Sequence, residues 1–381
     1  MNSGPFFESL APRGRGRADG PPAAEALRPS RSSTEERTDV LTDLPDYDTH
    51  EAVIFVNDRA SGLSAIIAIH DTTLGPAHGG TRAWAYASDT AAAIDALRLS
   101  RGMTYKNAIA GLPLGGGKSV ILLDPGQRPS AAALRAFGRA VDMLGGRYLP
   151  AEDVGVGPAE VREIAAETAH VLGVAEGADA DPSPLTALGV LSGMREMLRR
   201  ETGRADLAGR TVAVQGLGGV GGNLARMIHE AGGRLIVADM RAERCAAAEA
   251  AFGARVVPAE GIHSAPADVF APCALGAVLN ARTIPELGAR IVCGGANNQL
   301  ADEEAGRTLA AAGIAYAPDF IVNAGGVMWT SAPITGLDRP AVEERVRGIG
   351  ATLGRVLDAM APEETPQEAA IRDACAAIGR R

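Results

Sequence analysis

The stretch TVAVQGLGGVGGNLARMIHE, residues 211–230, runs from a β-branched segment through a glycine-rich turn into a helical pattern. Three of its glycines have the spacing G-x-G-x-x-G. In a strand–turn–helix unit, the first such glycine allows the tight turn, the second lets a pyrophosphate approach the backbone, and the third lets the helix pack on the strand. The unpaired N–H groups at the helix N-terminus attract the phosphates. The pattern predicts a dinucleotide site formed by Gly216, Gly218, Gly219, Val220 and Gly221.

The end of the next predicted strand indicates which dinucleotide binds. The segment RLIVADM contains Asp239, about twenty residues after the glycines, where an acid binds the ribose hydroxyls. A carboxylate at this place repels a 2′-phosphate, so the pattern favours NAD over NADP, although Arg241 lies close. The alternative is a glycine-rich turn without a ligand, but the flanking strand and helix favour the dinucleotide site.

Around this turn, the chain alternates between short apolar runs and helical patterns. That alternation predicts an α/β fold whose second domain is a doubly wound parallel sheet, a Rossmann domain. A proline-marked break near Pro184 separates it from an N-terminal α/β domain. We expect a disordered extension at 1–40, the N-terminal domain at 41–185, the dinucleotide-binding domain at 186–334, and C-terminal helices at 335–381.

In the N-terminal domain, the sequence predicts a hairpin, a long helix and a strand. The β-branched runs at 51–58 and 63–71 are separated only by RASG, which is typical of a hairpin. The helical pattern at 89–111 starts after a possible N-cap at Ser88 or Asp89 and places Lys106 near its end. The run KSVILLD predicts a strand that begins at Lys118, directly after three glycines.

The composition argues against several functional classes. A net charge of -9 over 381 residues does not suit nucleic-acid binding, which normally needs a basic face. No run of eighteen apolar residues occurs, so we expect no membrane span. The four cysteines and six histidines show no metal-ligand or disulfide spacing, so we expect no metal site and a reducing, cytoplasmic location. Residues 1–40 are rich in Pro, Gly, Ser and Arg, which is typical of disorder.

Lys106 and Lys118 are the only two lysines in the chain, and all its other strongly basic residues are arginines. Arginine stays protonated, whereas burial or a nearby cation lowers the pKa of a lysine, which can then act as a base. Glycines before Lys118 would let a ligand approach the backbone. We predict that one lysine holds a carboxylate while the other acts as a base, with Asp153 as proton shuttle. The alternatives are chance retention of surface lysines and, for Asp153, a helix N-cap or turn carboxylate.

The lysine segment and several other stretches resemble the Glu/Leu/Phe/Val dehydrogenase family, and its leucine-type members most. They are, in family order, ASGLSAIIAIHDTTLGPAHGGTRAW, ALRLSRGMTYKNAIAGLPLGGGKSVI, GRYLPAEDVG, PSPLTALGV, VAVQGLGGVG, DVFAPCALGAVLN, ANNQL and YAPDFIVNAGGV. The resemblance implies that an L-amino acid, water and NAD react reversibly to a 2-oxo acid, ammonium and NADH. It also implies a homo-oligomer, a substrate and oligomerisation domain that faces the NAD domain across a cleft, and C-terminal helices that return to the first domain.

The matching motifs imply roles for individual residues. Lys106 of MTYKNA would hold the substrate carboxylate, helped by Asn323 of IVNAGG. Lys118 of GGGK would activate the water that attacks the imine carbon, and Asp153 of AEDVG would relay protons to and from the amine nitrogen. Further contacts are implied with the nicotinamide end of NAD by Thr186 and Asn297, and with the substrate by His78 and Gly79.

Side-chain specificity depends on His78, because the family's glutamate enzymes have a lysine and its leucine enzymes a leucine at the matching position. A neutral imidazole can border an apolar side chain, a protonated one can pair with an acid, and one bonded to backbone can leave the pocket. AEDVG resembles the leucine enzymes, Ala151 leaves room, and GLPLGGGK suits an apolar wall, so we predict a branched-chain substrate of the leucine or valine type. The alternatives are a phenylalanine or glutamate dehydrogenase of the same fold, or a non-catalytic NAD-binding homologue. Trp329 lies just past Asn323 and could narrow the site.

Overall fold

Two six-stranded sheets organise the part of the chain that the computed structural model describes, residues 41–44, 46–174, 181–274 and 276–379. The extension predicted for residues 1–40 lies outside this range. Among the described helices, none combines the length and the apolar character that crossing a bilayer requires. Short 3-10 helices lie at Leu41–Asp43, Ala259–Ser264 and Ile284–Glu286.

The first sheet is mixed. It comprises β1 (Ala52–Asp58), β2 (Leu63–Asp71), β3 (Ala77–His78), β4 (Thr81–Trp84), β5 (Gly115–Leu122) and β6 (Tyr148–Leu149). The strand order is β1-β2-β5-β3-β6, and β4 also pairs with β5. The predicted hairpin is confirmed, because β1 and β2 pair antiparallel. β2 and β5 are also antiparallel, whereas β3 and β4 run parallel to β5, and β6 runs parallel to β3.

Helices cover both faces of this sheet, because successive side chains of a strand point to opposite sides. These helices are α1 (Asp89–Ile109), α2 (Ala131–Asp142) and α3 (Pro158–Ala165). Ile66 and Ala68 of β2 are buried in one apolar cluster with alanines of α1. The alternate residues Ile67 and Ile69 are buried in another cluster, which includes Phe137 of α2. α1 begins as predicted, since the Ser88 hydroxyl accepts the first-turn N–H of Ala91 at 3.1 Å.

The glycines before Lys118 differ from their predicted role. They are not a loop that admits a ligand, because β5 begins at Gly115 and includes all three. A Cβ on Gly116 would overlap the backbone of Thr104 in α1, and a Cβ on Gly117 would lie 2.8 Å from the Tyr148 ring. Gly116 therefore allows α1 to lie directly on β5, which brings the helix that carries Lys106 close to Lys118.

The second sheet is doubly wound and wholly parallel. It comprises β7 (Thr211–Gln215), β8 (Arg234–Ala238), β9 (Arg255–Val256), β10 (Val269–Pro272), β11 (Ile291–Val292) and β12 (Ala315–Tyr316). The order β12-β11-β10-β7-β8-β9 reverses between β7 and β10, and such a switch point opens a crevice at the carboxyl ends of the strands. The helices of this region are α4 (Ser183–Thr202), α5 (Gly219–Glu230), α6 (Ala242–Phe252) and α7 (Glu303–Ala311). The predicted Rossmann architecture is confirmed.

The C-terminal region is helical, as predicted. It contains α8 (Asp319–Val322), α9 (Gly325–Thr330), α10 (Ala332–Thr335), α11 (Arg339–Arg347), α12 (Ile349–Asp358) and α13 (Pro366–Ala377). α11 and α12 pack on α4, while α13 packs on α1. In addition, the Arg345 side chain donates hydrogen bonds to the carbonyls of Ala110 and Gly111 at the end of α1, at 3.0 and 2.5 Å. The C-terminal helices thus return to the first domain.

Candidate active site

The glycine turn between β7 and α5 has the shape that a dinucleotide needs. Gly216 has a φ of +89°, a conformation that other residues rarely adopt. A Cβ on Gly221 would overlap the Gly216 carbonyl oxygen, so only glycine lets α5 begin this close to β7. At Gly218, by contrast, a Cβ would meet only the Arg244 guanidinium, at 3.8 Å. The backbone here is open to a pyrophosphate, and the residues present therefore fit a dinucleotide.

Asp239 lies beside this turn at the end of β8. Its carboxylate accepts the backbone N–H groups of Leu217 at 2.6 Å and Arg241 at 2.8 Å, and Arg244 Nη1 lies 3.5 Å away. Burial opposes ionisation, but these donors outweigh it and lower the pKa of Asp239. Sequence reasoning named Arg241 as the nearby cation, whereas the structure brings the Arg244 guanidinium to the carboxylate. Its position in the first turn of α6 was the available signal.

Lys118 and Asp153 form a direct pair. Lys118 is 6% exposed, and its Nζ donates a hydrogen bond to Asp153 Oδ2. Burial raises the pKa of Asp153, but the cations of Lys118 and Arg82 lower it to about 2, so this carboxylate is ionised. The cap of α3 does not involve Asp153, because Gly157 is the N-cap residue and Glu160 accepts its N–H at 3.0 Å. The carboxylate therefore serves the lysine and not a helix end.

Arg82 is a neighbour of this pair that sequence reasoning missed. Its Nε lies 3.4 Å from Asp153 Oδ2, and its Nη1 donates to Asp95 Oδ2 at 2.9 Å. Tyr86 donates to the same Asp95 oxygen at 2.7 Å. Nothing in the sequence distinguishes Arg82 from the many other arginines, because its partners come from α1 and from the loop after β6.

Lys106 meets the second domain across the cleft. Its Nζ donates to Asn297 Oδ1 at 2.8 Å, and Asn323 Nδ2 donates to the same oxygen at 2.9 Å. Burial lowers the pKa of Lys106 to about 8; Asp319 and Asp153 oppose this effect, while Lys118 adds to it. Asn323 Oδ1 is buried and has no hydrogen-bond partner among the described residues. Two of the predicted site residues, Lys106 and Asn323, thus donate to one side-chain oxygen of a third, Asn297.

His78 is bonded to the backbone, as one alternative expected, but it stays at the cleft and does not leave the pocket. It is buried at the cleft, and its Nδ1 lies 2.8 Å from the Leu149 carbonyl oxygen, a distance at which Nδ1–H donates. Burial lowers the pKa of His78 to about 4, and the cation of Lys118 acts in the same direction, which argues against a protonated imidazole. Gly79 lies behind the cleft, where a Cβ would overlap Gly117, and Gly80 lines the cleft instead.

The cleft itself is a cavity of about 250 Å³. Its walls come from both domains: Lys106, Lys118 and Asp153 on one side, and Thr186, Val220 and Asn297 on the other. Trp329 is not among the lining residues, although Val327 and Thr330 are, so the expectation that Trp329 narrows the site is not supported. Within the described ranges, no group of three His, Cys, Asp or Glu side chains could hold a metal ion.

Comparison with known proteins defines the class. A profile for "Glu/Leu/Phe/Val dehydrogenase, dimerisation domain" matches residues 50–170, and one for "Glutamate/Leucine/Phenylalanine/Valine dehydrogenase" matches 177–241 and 236–335. Leucine dehydrogenase of Bacillus subtilis is 48% identical over 82% of this chain and 86% of its own length. Valine dehydrogenase of Streptomyces albus is 45% identical over 77% of this chain and 82% of its own length.

A solved structure agrees. The crystal structure of L-tryptophan dehydrogenase from Nostoc punctiforme superposes with a TM-score of 0.74 and 42% identity, covering 87% of this chain and 96% of that one. The fold and the matches together are those of an amino acid dehydrogenase, an oxidoreductase that acts on CH–NH2 groups. The chain belongs to the Glu/Leu/Phe/Val dehydrogenase family, as the sequence motifs indicated.

Proposed function

We propose that this protein catalyses the reversible, NAD-dependent oxidative deamination of a branched-chain L-amino acid of the leucine or valine type. The observation that carries the proposal is the hydrogen bond from Lys118 to Asp153 in a cleft that also exposes Lys106 and Val220 of the dinucleotide turn. The lysine–carboxylate pair and the turn meet at one cavity, where a hydride donor and acceptor can be held together.

The substrate carboxylate binds Lys106. A carboxylate that enters the cleft competes with Asn297 Oδ1 for the Lys106 ammonium, since this oxygen already accepts a hydrogen bond from Asn323. A charged acceptor forms a stronger hydrogen bond than an amide oxygen. The exchange frees Asn297, together with Thr186, to contact the nicotinamide end, and Asn323 remains beside the carboxylate.

Proton transfer belongs to Lys118 and Asp153. Bound NAD would supply the acceptor for the hydride that leaves the α-carbon of the amino acid. Asp153, a carboxylate at the start, first takes a proton from the substrate ammonium, so that loss of the hydride leaves an imine. Lys118, as the neutral amine, then takes a proton from the water that adds to the imine carbon. Asp153 returns a proton to the nitrogen, ammonia leaves, and loss of the hydroxyl proton gives the 2-oxo acid. The direct contact between Lys118 and Asp153 lets the proton taken from water pass toward the departing nitrogen.

NAD is preferred over NADP in this proposal because of Asp239. The carboxylate is ionised and lies beside the open backbone of the turn. A second lone pair on each oxygen is available for ribose hydroxyls, whereas a 2′-phosphate meets a negative charge. The opposing influence is the Arg244 guanidinium, which lies within ion-pair distance of the same carboxylate.

Two features bear on the substrate side chain. Neutral His78 offers no cation for a distal carboxylate, which disfavours glutamate. Relatives similar over most of the chain are named leucine and valine dehydrogenases, which supports an aliphatic substrate. An aromatic substrate is the second candidate, because His78 Nδ1 bonds to Leu149, and Nε2 is thereby left as an acceptor for a group such as an indole N–H.

The experiment that tests the reaction measures NADH formation at alkaline pH with leucine, valine, isoleucine, phenylalanine, tryptophan and glutamate, with NADP in parallel. We expect the aliphatic substrates to have the highest kcat/KM. Higher kcat/KM for tryptophan or phenylalanine would move the assignment to the second candidate. An enzyme that binds NADH but converts none of these would be the non-catalytic homologue.

A Lys118→Met variant tests the residue assignment. It should lower kcat about 1,000-fold, because a general base is removed, while the dissociation constant for NADH stays within about twofold of the wild-type value. NADH fluorescence titration provides the binding control. Activity that survived this substitution would show that Lys118 is not the base.

We also propose a cytoplasmic homo-oligomer. All four cysteines are free thiols, which suits a reducing compartment. The profile matched by residues 50–170 is described as a dimerisation domain. Size-exclusion chromatography with light scattering measures the oligomeric state, and a monomer at micromolar concentration would contradict this part of the proposal.

A further inference from the structure

Asp319 is a buried acid that the proposed mechanism does not use. It is 5% exposed and is the first residue of α8, directly after β12. Removal of a carboxylate from water is costly unless hydrogen bonds and opposite charges compensate. Burial raises the pKa of Asp319 above its usual value, and the Gln299 backbone N–H and the Lys106 cation offset this rise only in part. Both partners lie at the candidate active site: Lys106 lines the cleft, and Gln299 is two residues after Asn297, which also lines it.

The first partner belongs to the loop that carries Asn297. Asp319 Oδ2 accepts the Gln299 N–H at 2.9 Å. The Gln299 side chain in turn donates to the carbonyls of Gly294 at 2.7 Å and Ala296 at 3.0 Å. Asn298 has a φ of +52°, a left-handed conformation that asparagine adopts more readily than most residues. These hydrogen bonds fix the conformation of the loop, and the Asp319 carboxylate supplies one of them.

This loop presents Asn297 to Lys106. Asn297 Oδ1 accepts from Lys106 Nζ at 2.8 Å, so before the substrate binds this loop holds the lysine ammonium at the cleft. The negative charge of Asp319 also stabilises the ammonium form of Lys106, and it does so more than any other charged group nearby. The buried Asp319 carboxylate thus influences the site in two ways. It holds the Asn297 loop by a hydrogen bond, and its charge stabilises the Lys106 ammonium.

We propose that Asp319 is a positioning residue for the substrate carboxylate: it fixes the Asn297 loop and favours the cationic form of Lys106. The inference rests on the proposed function, because it needs Lys106 to be the carboxylate-binding group. Asp319 does not touch the substrate in this scheme, and it acts only through Lys106 and Asn297.

The charge effect has a definite sign. The groups that face Lys106 are Asp319 at the start of α8, Lys118 on β5, and Asp153 in the loop after β6. The two carboxylates favour the ammonium, whereas Lys118 and burial favour the neutral amine. Loss of the Asp319 charge therefore lowers the pKa of Lys106 from about 8. Binding of a carboxylate then weakens most at alkaline pH, where Lys106 becomes neutral.

The test uses 4-methylpentanoate, a carboxylate with the leucine side chain but no amino group, as an inhibitor competitive with the amino acid. Its own charge does not change between pH 7 and pH 9. In Asp319→Asn, the amide oxygen still accepts the Gln299 N–H while the charge is lost. If the Lys106 pKa falls by about one unit, the inhibition constant rises about twofold at pH 7 and about ninefold at pH 9. The dissociation constant for NADH should stay within about twofold.

Two further variants separate the effects. Asp319→Ala removes the hydrogen bond as well, and it should also weaken NADH binding, about fivefold, because the Asn297 loop is released. Asp302→Asn is the matched control. Asp302 also accepts a backbone N–H, that of Ala305, at 2.8 Å. It lies at the start of α7, however, and does not act on Lys106. It should leave both constants unchanged.

The charge effect would be overturned if Asp319→Asn raised the inhibition constant by the same factor at pH 7 and at pH 9. The loop effect would be overturned if Asp319→Ala left the dissociation constant for NADH unchanged. If neither variant folds, the pH dependence measured with the wild-type enzyme still tests the proposal. The inhibition constant should increase as the pH is raised past about 8, and a constant value up to pH 10 would overturn the proposal. Wild-type turnover of amino acids separates these outcomes from a failure of the proposed function.

Discussion

Buried Lys118 and Asp153 form a pair between which a proton can move, and other residues adjust that pair. Arg82 holds one side of Asp153, and Asp95 anchors Arg82 in turn. Because each group is largely shielded from water, every charge added or removed here acts with little screening. Substitutions around the pair should therefore change the pH dependence of the reaction more than the stability of the fold.

Arg82→Met tests this at the residue scale. The cation of Arg82 lowers the pKa of Asp153, so its loss should raise that pKa by about one unit and move the acidic limb of the kcat/KM profile to higher pH. Arg98→Ala is the matched control, because Arg98 pairs with Asp95 at 3.3 Å but does not reach Asp153. A lower kcat with an unmoved acidic limb would indicate a structural role only.

At the scale of elements, the close packing of α1 on β5 is the feature that builds the site. Lys106 lies in the last turn of α1 and Lys118 in the middle of β5. The two lysines approach each other because Gly116 has no side chain to keep the helix away from the strand. The run of three glycines looks like a ligand loop in the sequence, but its middle residue, Gly116, is in fact the contact between α1 and β5.

Gly116→Ala should therefore destabilise the protein. Its methyl group would overlap the Thr104 backbone, and the strain should lower the free energy of unfolding by about 3 kcal/mol. Gly102→Ala, in α1, is the control, because a Cβ there meets nothing within 4 Å. The control should stabilise α1 by up to about 1 kcal/mol. Denaturant unfolding measures both, and equal midpoints would show that the contact is not tight.

At the scale of the whole molecule, the C-terminal helices connect the two domains around the cleft. α11 and α12 pack on α4 of the second domain, while Arg345 binds the carbonyl groups that end α1. A cation at a helix C-terminus also interacts favourably with the helix dipole. The last turn of α1, which carries Lys106, is thus held from outside its own domain.

Arg345→Ala should lower the free energy of unfolding by about 2 kcal/mol, because two carbonyl groups lose a charged donor. Arg347→Ala, in the same helix but with an exposed side chain, should change it by less than about 0.5 kcal/mol. Thermal unfolding compares the two variants. Equal losses would mean that the contact between α11 and α1 contributes no stability.

The sequence alone predicts the parts of this protein that depend on local pattern. The spacing of Gly216, Gly218 and Gly221 predicts the dinucleotide turn because backbone geometry at a tight turn admits only glycine. Alternating strand and helix periods predict the parallel sheet, because the hydrophobic period of each segment is also set by neighbouring residues. The two lysines mark the active site because the rest of the chain uses arginine, so their residue type is itself a signal.

Only the tertiary structure decides the features that depend on contacts between distant segments. Arg82 meets Asp153, and Asp319 meets the Asn297 loop, across separations at which no periodicity relates the partners. His78 is neutral because burial by surrounding elements lowers its pKa, which no neighbour in the chain indicates. The pKa of a side chain depends on all the groups that bury it and on all the charges around it. That environment forms only when the two sheets and the C-terminal helices pack together.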